Sequence, residues 1–374
     1  MKINKYLKNK CLKYHRRNRK SFIKKKIQKC QLESWKVKEK WSYKLRLYKY
    51  PKHKITAPRK NAHVGRRVFL VAPSFIDYYN KSTFDKTNKF INDIVDVVRN
   101  ENRKVFIDFS QTKKISAAAM LSLLAEVDVL TKQSVHGKYA ISFNHPKDEK
   151  TESILKQIGF YELVGKEMRD TKEFDDVTFW RYCSGSCSEA IIAKPIFDEL
   201  SETLKGTQGS KKLYRGFVEA MSNSVEHAYL DDSVHCEEDR TAKWWAFAGI
   251  KNNELAVVIC DKGVGIPRTL PKTQGVDKIN DLLETLGYKH HKVTDGKYIK
   301  AATSLTKTRT LERHRGKGLT DIKAVIDSIG KGSLLIFSNK GEFRYKAQKT
   351  LDGVIMDHKT SVSGTIIEWT IPLT

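Results

Sequence analysis

The amino-acid sequence predicts an α/β (α+β) protein with two folded domains behind a basic N-terminal arm. Its 374 residues are enough for two ordinary domains and a tail. From residue 66 onward, short apolar runs typical of strands alternate with segments of helical periodicity. That alternation is typical of helices packed on sheets. The positive charge, by contrast, is concentrated at the N-terminus.

Residues 1–62 are predicted to form the arm. The first 60 residues hold 23 of the chain's 70 Lys and Arg and only two acidic residues, within a net charge of +27. Aromatic residues are threaded through the bases, which favours nucleic-acid binding because cations neutralise phosphates and aromatic rings stack on bases. The candidate contacts are Arg16, Arg17, Arg19, Lys24, Lys25 and Lys26. Another acidic partner, such as a ribosome or an anionic membrane surface, and a solvated tail without a specific partner are the alternatives.

Several classes of protein are disfavoured. No run of 18 apolar residues occurs, so no membrane span is predicted. The basic first twenty residues contain no apolar segment of a secretory signal. Six scattered cysteines do not resemble a disulfide framework. A reduced, cytoplasmic setting is therefore expected.

Residues 66–165 are predicted to form an α/β domain. We expect strands at 68–71, 105–109 and 139–143, and helices at 84–98, 117–130 and 151–158, the last ended by Gly159. The runs "VFIDFSQTKKIS", "AAAMLSLLAEV" and "ESILKQIGFYELV" resemble the STAS domain of anti-sigma-factor antagonists. That family often carries Asp-Ser-Ser-Gly, with a phosphorylated serine, at a strand-to-helix turn. Here the acceptor position falls on Ala117, after Ser116, so the resemblance implies a docking domain rather than a phosphorylation switch.

Residues 166–188 are expected to be irregular. They contain Cys183 and Cys187 in "CSGSC". A zinc site needs two further ligands, for which His235 and Cys236 are the nearest pair. Free thiols in a loop are the alternative.

Residues 189–374 contain four motifs in a fixed order. The first is a helix, 211–229, with "GFVEAMSNSVEHAY". Glu219 and Asn223 lie four residues apart and therefore on one face, where an amide oxygen suits Mg²⁺ and a carboxylate can accept a proton. A solvated helix face is the alternative. His227, one turn later, could contact phosphate or only a local hydrogen-bond partner.

The second motif is "LAVVICDKGVGIP", a strand at 255–260 followed by Asp261, Gly263 and Gly265. A carboxylate after a buried strand can accept a hydrogen bond from an adenine amino group, and glycines permit a sharp turn and a close backbone approach to a ligand. A plain strand-to-turn hairpin is equally compatible with it.

The third motif, "HRGKGLTDIKAVIDSIG", places Gly316, Lys317 and Gly318 before a helix at 319–329. Free N–H groups at a helix N-terminus bind phosphate. It is not a Walker A loop, because Gly rather than Ser or Thr follows the lysine.

The fourth motif, "VSGTIIEWTIPL", places Thr365 at the start of a final strand.

Together the four motifs resemble the GHKL ATPases, the superfamily of gyrase B, ninety-kilodalton heat-shock chaperones, histidine kinases and MutL. The resemblance implies a Bergerat-type sandwich, a mixed sheet with helices on one face, that binds ATP and Mg²⁺. It implies that Glu219 is the catalytic base, that Asn223 holds Mg²⁺ and that Asp261 and Thr365 contact adenine. It further implies that the glycine-rich segment 316–318 holds phosphates and that residues 270–315 form an ATP lid.

Three functions follow from the resemblance. The preferred one is an ATPase that acts as an ATP-gated switch. Because the first motif is closest to that of anti-sigma-factor serine kinases, a Ser/Thr protein kinase is the second. A nucleotide-sensing scaffold without turnover is the third. The resemblance also implies a bacterial regulator, a protein partner for the STAS-like domain and an ATP-dependent homodimer.

Overall fold

The computed structural model describes residues 67–168, 170, 172–204, 209–229, 243–288, 293–305, 318–347 and 353–373. The chain divides into two compact units, Met1–Arg67 and Val68–Thr374. The basic arm, residues 1–62, and its candidate contacts lie outside these described residues. The second unit confirms a mixed α/β chain with several sheets.

The first half of this unit contains a small parallel sheet. Its strands are β1 (Val68–Val71), β3 (Val105–Asp108) and β5 (Ile141–Phe143), while β2 (Phe75–Ile76) and β4 (Lys114–Ile115) form a separate parallel pair. The order in the sheet is β1-β3-β5. The predicted strands are confirmed, although β5 begins two residues later than expected because residues 137–140 form a 3₁₀ turn.

Four helices accompany these strands, and the three that the periodicity predicts are confirmed. They are α1 (Lys81–Val95), α2 (Ala117–Gln133), α3 (Glu149–Gln157) and α4 (Phe160–Leu163). Asn80 caps α1 by accepting the Ser82 N–H. Helix α2 is unusual, because every residue from Ala118 to Thr131 is buried. A helix that is apolar all round needs cover on all sides.

The second half contains a sheet of eight strands, the large sheet. Its strands are β6 (Val177–Phe179), β7 (Cys183–Gly185), β8 (Trp244–Lys251), β9 (Glu254–Asp261), β10 (Ser333–Ser338), β11 (Gly341–Lys346), β12 (Val354–Asp357) and β13 (Thr365–Pro372). The order is β12-β11-β10-β13-β9-β8-β6, and β7 also pairs with β8. Two expectations are wrong here. Residues 166–188 are not wholly irregular, since they supply β6 and β7. The sheet is not mixed, since its pairings among the described strands are all antiparallel.

Six further helices belong to this half. They are α5 (Lys194–Thr203), α6 (Gly209–Glu226), α7 (Ile266–Gln274), α8 (Val276–Thr285), α9 (Asp295–Ser304) and α10 (Gly318–Ile329). The predicted helices at 211–229 and 319–329 are thereby confirmed within two or three residues at each end. Helices α7, α8 and α9 share a small apolar core and contain the described part of the predicted lid.

Helices cover both faces of the large sheet. On β9, Val257 and Ile259 belong to the core that includes α5, α6 and α10. The alternating residues Val258 and Cys260 belong to the core that includes α2. This alternation follows from the two-residue period of a strand. It explains why α2 is buried all round: the helix lies between the small sheet and the large one. Among the described residues, no helix is long and apolar enough to cross a membrane.

Candidate nucleotide site

Asp261 is the centre of the candidate site. It ends β9 and pairs directly with Thr365, the first residue of the neighbouring strand β13. Its Oδ1 accepts the N–H of Gly263 at 2.9 Å and the N–H of Thr365 at 3.3 Å. Burial raises the pKa of Asp261 to about 6, although these amide donors act in the opposite direction. Ionising a buried carboxyl group costs folding free energy, even when backbone N–H groups donate to it. Such a cost points to a role beyond packing.

The side chains of Asp261 and Thr365 lie on the face of the large sheet that carries α6 and α10. Their positions on the strands have the same parity as Ile259 and Ile367, which belong to that core. The structure thus brings together two residues 104 positions apart. This is the pair that the sequence predicts to contact adenine.

Gly263, in the second motif, has a packing role that the sequence did not indicate. A Cβ on Gly263 would lie 2.2 Å from the carbonyl oxygen of Ala228, just beyond the end of α6. The N–H of Val264 donates to the same oxygen at 2.8 Å. Gly265 has φ +82°, which permits the turn into α7. Gly263 therefore permits a close approach to the protein's own helix end.

Two polar residues that support this turn were missed by sequence reasoning. The hydroxyl of Ser338 shares a hydrogen bond of 3.0 Å with the hydroxyl of Thr365 and accepts the N–H of Ile266 at 2.8 Å. Asn339 donates from its side-chain amide to the carbonyl of Val264 at 2.9 Å. The sequence contains no signal for them, because they reach the site only through the pairing of β10 with β13.

Glu219 and Asn223 lie on α6, one turn apart and each half-buried. Helix α6 packs closely on α10: a Cβ on Gly216 would lie 2.6 Å from a methyl of Val325. The end of the same helix reaches the Asp261 turn through Ala228. The structure therefore places the predicted base and the predicted Mg²⁺ ligand on a helix that contacts the Asp261 turn. His227, also half-buried, donates its backbone N–H to the carbonyl of Asn223 at 3.0 Å.

The predicted phosphate segment is only partly described. Helix α10 begins at Gly318, whereas Gly316 and Lys317 lie outside the described residues. The helix is anchored on the sheet, since the indole N–H of Trp369 donates to the carbonyl of Ile322 at 3.0 Å. In its first turn, the hydroxyl of Thr320 donates to the carbonyl of Leu305 at 3.0 Å, next to the end of α9. Leu305, in the described part of the predicted lid, is thus hydrogen-bonded to α10.

Among the described residues, no three His, Cys, Asp or Glu side chains could hold a metal ion together. Cys183 lies in β7, and burial raises the pKa of its thiol to about 12. His235 and Cys236 lie outside the described residues.

The turn before α2 lies on the opposite face of the large sheet from Asp261. Ser116 is 3% exposed, and its hydroxyl accepts the N–H of Tyr78 at 3.3 Å. The buried carboxylate of Glu368, on β13, accepts the hydroxyl of Tyr79 at 2.6 Å, and burial raises its pKa to about 7. The surface that α2 would offer to a partner is therefore covered by the chain itself.

No protein-family model matches this sequence. A search of curated proteins finds none with significant sequence similarity.

Proposed function

We propose that residues 189–374 form a GHKL-type, Bergerat-like domain that binds ATP with Mg²⁺, and that slow ATP hydrolysis makes the protein a regulatory switch. The observation that supports this most is the buried pair Asp261 and Thr365. A carboxylate acceptor beside a hydroxyl group suits the amino group and ring nitrogen of an adenine base. Both lie on the face covered by α6 and α10, which carry the other predicted motifs.

Each predicted residue then has a role. Asp261 and Thr365 orient the base. Asn223 supplies one neutral oxygen to Mg²⁺, an ion that prefers oxygen ligands and otherwise binds substrate phosphates and water. Gly316, Lys317 and Gly318, with the N-terminus of α10, hold the phosphates. Glu219 accepts the proton of the attacking water. In the fold as it stands, closure of the predicted lid would be transmitted to α10 through Leu305 and Thr320.

The test is a titration of the full chain with ATP and Mg²⁺, following phosphate release and ³²P transfer to protein in the same tube. We expect phosphate release from the wild type, its loss in Glu219→Ala and retained ATP binding in that variant. Glu226→Ala is the matched control, since Glu226 is exposed on the same helix and accepts the hydroxyl of Ser222. Equal turnover in Glu219→Ala would refute the assignment of the base.

For the protein-kinase alternative, the nearest candidate phosphate acceptor, Ser116, is not accessible. Ser116 is buried against Tyr78, on the opposite face of the large sheet from Asp261. Transfer to this serine within the folded chain would require α2 to leave the sheet. Label on protein in the same titration would nevertheless establish phosphotransfer, and mapping of the labelled residue would identify the acceptor.

For the arm, residues 1–60, we propose nucleic-acid binding on the basis of its charge and aromatic content. The expected result is an affinity for DNA or RNA that falls with salt and is lost when residues 1–60 are deleted. An affinity that survives this deletion would assign the contact to residues 61–374 instead.

A further inference from the structure

Lys262, between Asp261 and Gly263, directs its side chain away from the candidate site and toward α2. Its ammonium group donates to the hydroxyl of Ser122 at 2.9 Å and lies 3.3 Å from a carboxylate oxygen of Glu126. It also donates to the carbonyl of Val362 at 3.3 Å, in the loop that precedes β13. The side chain is only 9% exposed and that of Glu126 only 10%. Lys262 therefore joins α2 to two segments that surround Asp261.

The backbone of Lys262 extends this connection to α6. Its N–H donates to the hydroxyl of Tyr229 at 3.2 Å, and that hydroxyl donates to the carbonyl of Lys243 at 2.9 Å. Tyr229 follows Ala228, against which Gly263 packs. One residue thus contacts the end of α6 through its backbone and α2 through its side chain.

The ion pair with Glu126 is a rigid link rather than a surface contact. Exposed ion pairs reorganise easily and contribute little. A pair removed from water is different, since the loss of Glu126 leaves the buried Lys262 ammonium facing neutral acceptors. Glu126 itself also lies 3.8 Å from a guanidinium nitrogen of Arg99. A displacement of Lys262 is therefore costly unless α2 moves with it.

We propose that Lys262 couples nucleotide binding at Asp261 to the seating of α2 on the large sheet, a form of regulation that rests on the nucleotide-binding function proposed above. In the present structure, Oδ1 of Asp261 accepts two backbone N–H groups that hold the turn at residues 261–263. A base that donates to the same carboxylate stabilises this turn, and with it the position of Lys262. Nucleotide binding and the docked position of α2 then favour each other, and by linkage the effect is reciprocal.

The decisive variant lies on α2, across the sheet from Asp261. Glu126→Gln keeps the charge of Lys262 but removes its partner, so we expect the dissociation constant for ATP·Mg²⁺ to rise about fivefold or more, the range typical of coupled sites. Lys262→Gln should raise the dissociation constant by a similar factor. The double variant should bind ATP·Mg²⁺ no more weakly than the weaker-binding single variant, because both substitutions remove the same link. The matched control is Arg103→Gln, which breaks an exposed pair with Glu101 outside α2 and should leave the affinity unchanged.

Hydrogen exchange of the α2 amides provides an independent measurement. In the wild type, ATP·Mg²⁺ should slow exchange in α2; in Lys262→Gln, bound nucleotide should no longer do so. Circular dichroism verifies that each variant is folded, and Lys262→Arg, which keeps the charge, should restore part of the effect. Binding of ATP with no change in α2 exchange, or equal affinities for wild type and Glu126→Gln, would overturn the coupling alone. A wild type that binds no ATP would overturn the nucleotide-binding function and the coupling with it.

Discussion

Replacement of Asp261 by asparagine should make the protein more stable and its nucleotide binding weaker. Burial raises the pKa of Asp261 from 3.8 to about 6. The folded protein therefore binds this proton more tightly than the unfolded chain. Stability is lost as the pH rises from about 4 to about 6, and above pH 6 the full cost of ionising a buried carboxyl remains.

The magnitude follows from the two pKa values. Each pH unit between them corresponds to about 1.4 kcal/mol, so the ionised carboxylate costs about 3 kcal/mol of folding free energy at pH 7.5. Asparagine has no such cost, and its side-chain oxygen can still accept the N–H groups of Gly263 and Thr365. We expect Asp261→Asn to raise the free energy of unfolding by about 2–3 kcal/mol at pH 7.5 and by almost nothing at pH 4.

The assay is chemical denaturation of the wild type and the variant at several values between pH 4 and pH 8, with ATP binding measured at pH 7.5. The asparagine amide presents a donor where the carboxylate offered an acceptor, so the affinity for ATP should fall. Asp281→Asn is the control, since Asp281 is exposed on α8. A variant that is less stable than the wild type at pH 7.5, or whose gain is the same at pH 4 and pH 7.5, would refute the reasoning.

Two further predictions concern the same sheet. In Glu368→Gln, the hydroxyl of Tyr79 keeps an acceptor while a carboxyl whose pKa burial raises from 4.5 to about 7 is removed. Denaturation curves should therefore show that the variant's free energy of unfolding exceeds that of the wild type by about 3 kcal/mol at pH 8 and by nothing at pH 4. A difference independent of pH would contradict this. In Gly263→Ala, the new methyl group clashes with the carbonyl of Ala228 and must separate the end of α6 from the turn. A loss of about 1–3 kcal/mol by thermal unfolding and weaker ATP binding are expected, and unchanged values of both would exclude the packing role of this glycine.

Local pattern was sufficient for fewer than half of the described strands and helices. The strand β9 and helices α2, α6 and α10 were predicted from apolar runs and helical spacing, and the structure confirms them. The strands β6 and β7 were missed, since they have only three residues each and one of them reads Cys-Ser-Gly. Their extended form depends on pairing with β8, which no local pattern reveals.

Local pattern also could not specify pairing between distant strands. The sequence marked Asp261 and Thr365 as polar residues beside strands, and the structure pairs them through the antiparallel neighbours β9 and β13. Ser338 and Asn339 had no signal at all, because their role depends on β10 lying next to β13. The same holds for Lys262, which in the sequence is simply the residue between Asp261 and Gly263.

The sequence by itself determined the longer apolar strands and periodic helices, where the charge is concentrated and which motifs resemble a nucleotide site. These properties depend on residues close together in the chain, where periodicity and turn chemistry act. Only the tertiary structure decided that α2 lies between two sheets, that Ser116 is buried and that Lys262 reaches Glu126. The physical reason is that such contacts join residues far apart in the chain, 38 positions for Ser116 and Tyr78 and 140 for Lys262 and Ser122. Burial and strand order, which no local pattern encodes, bring them together.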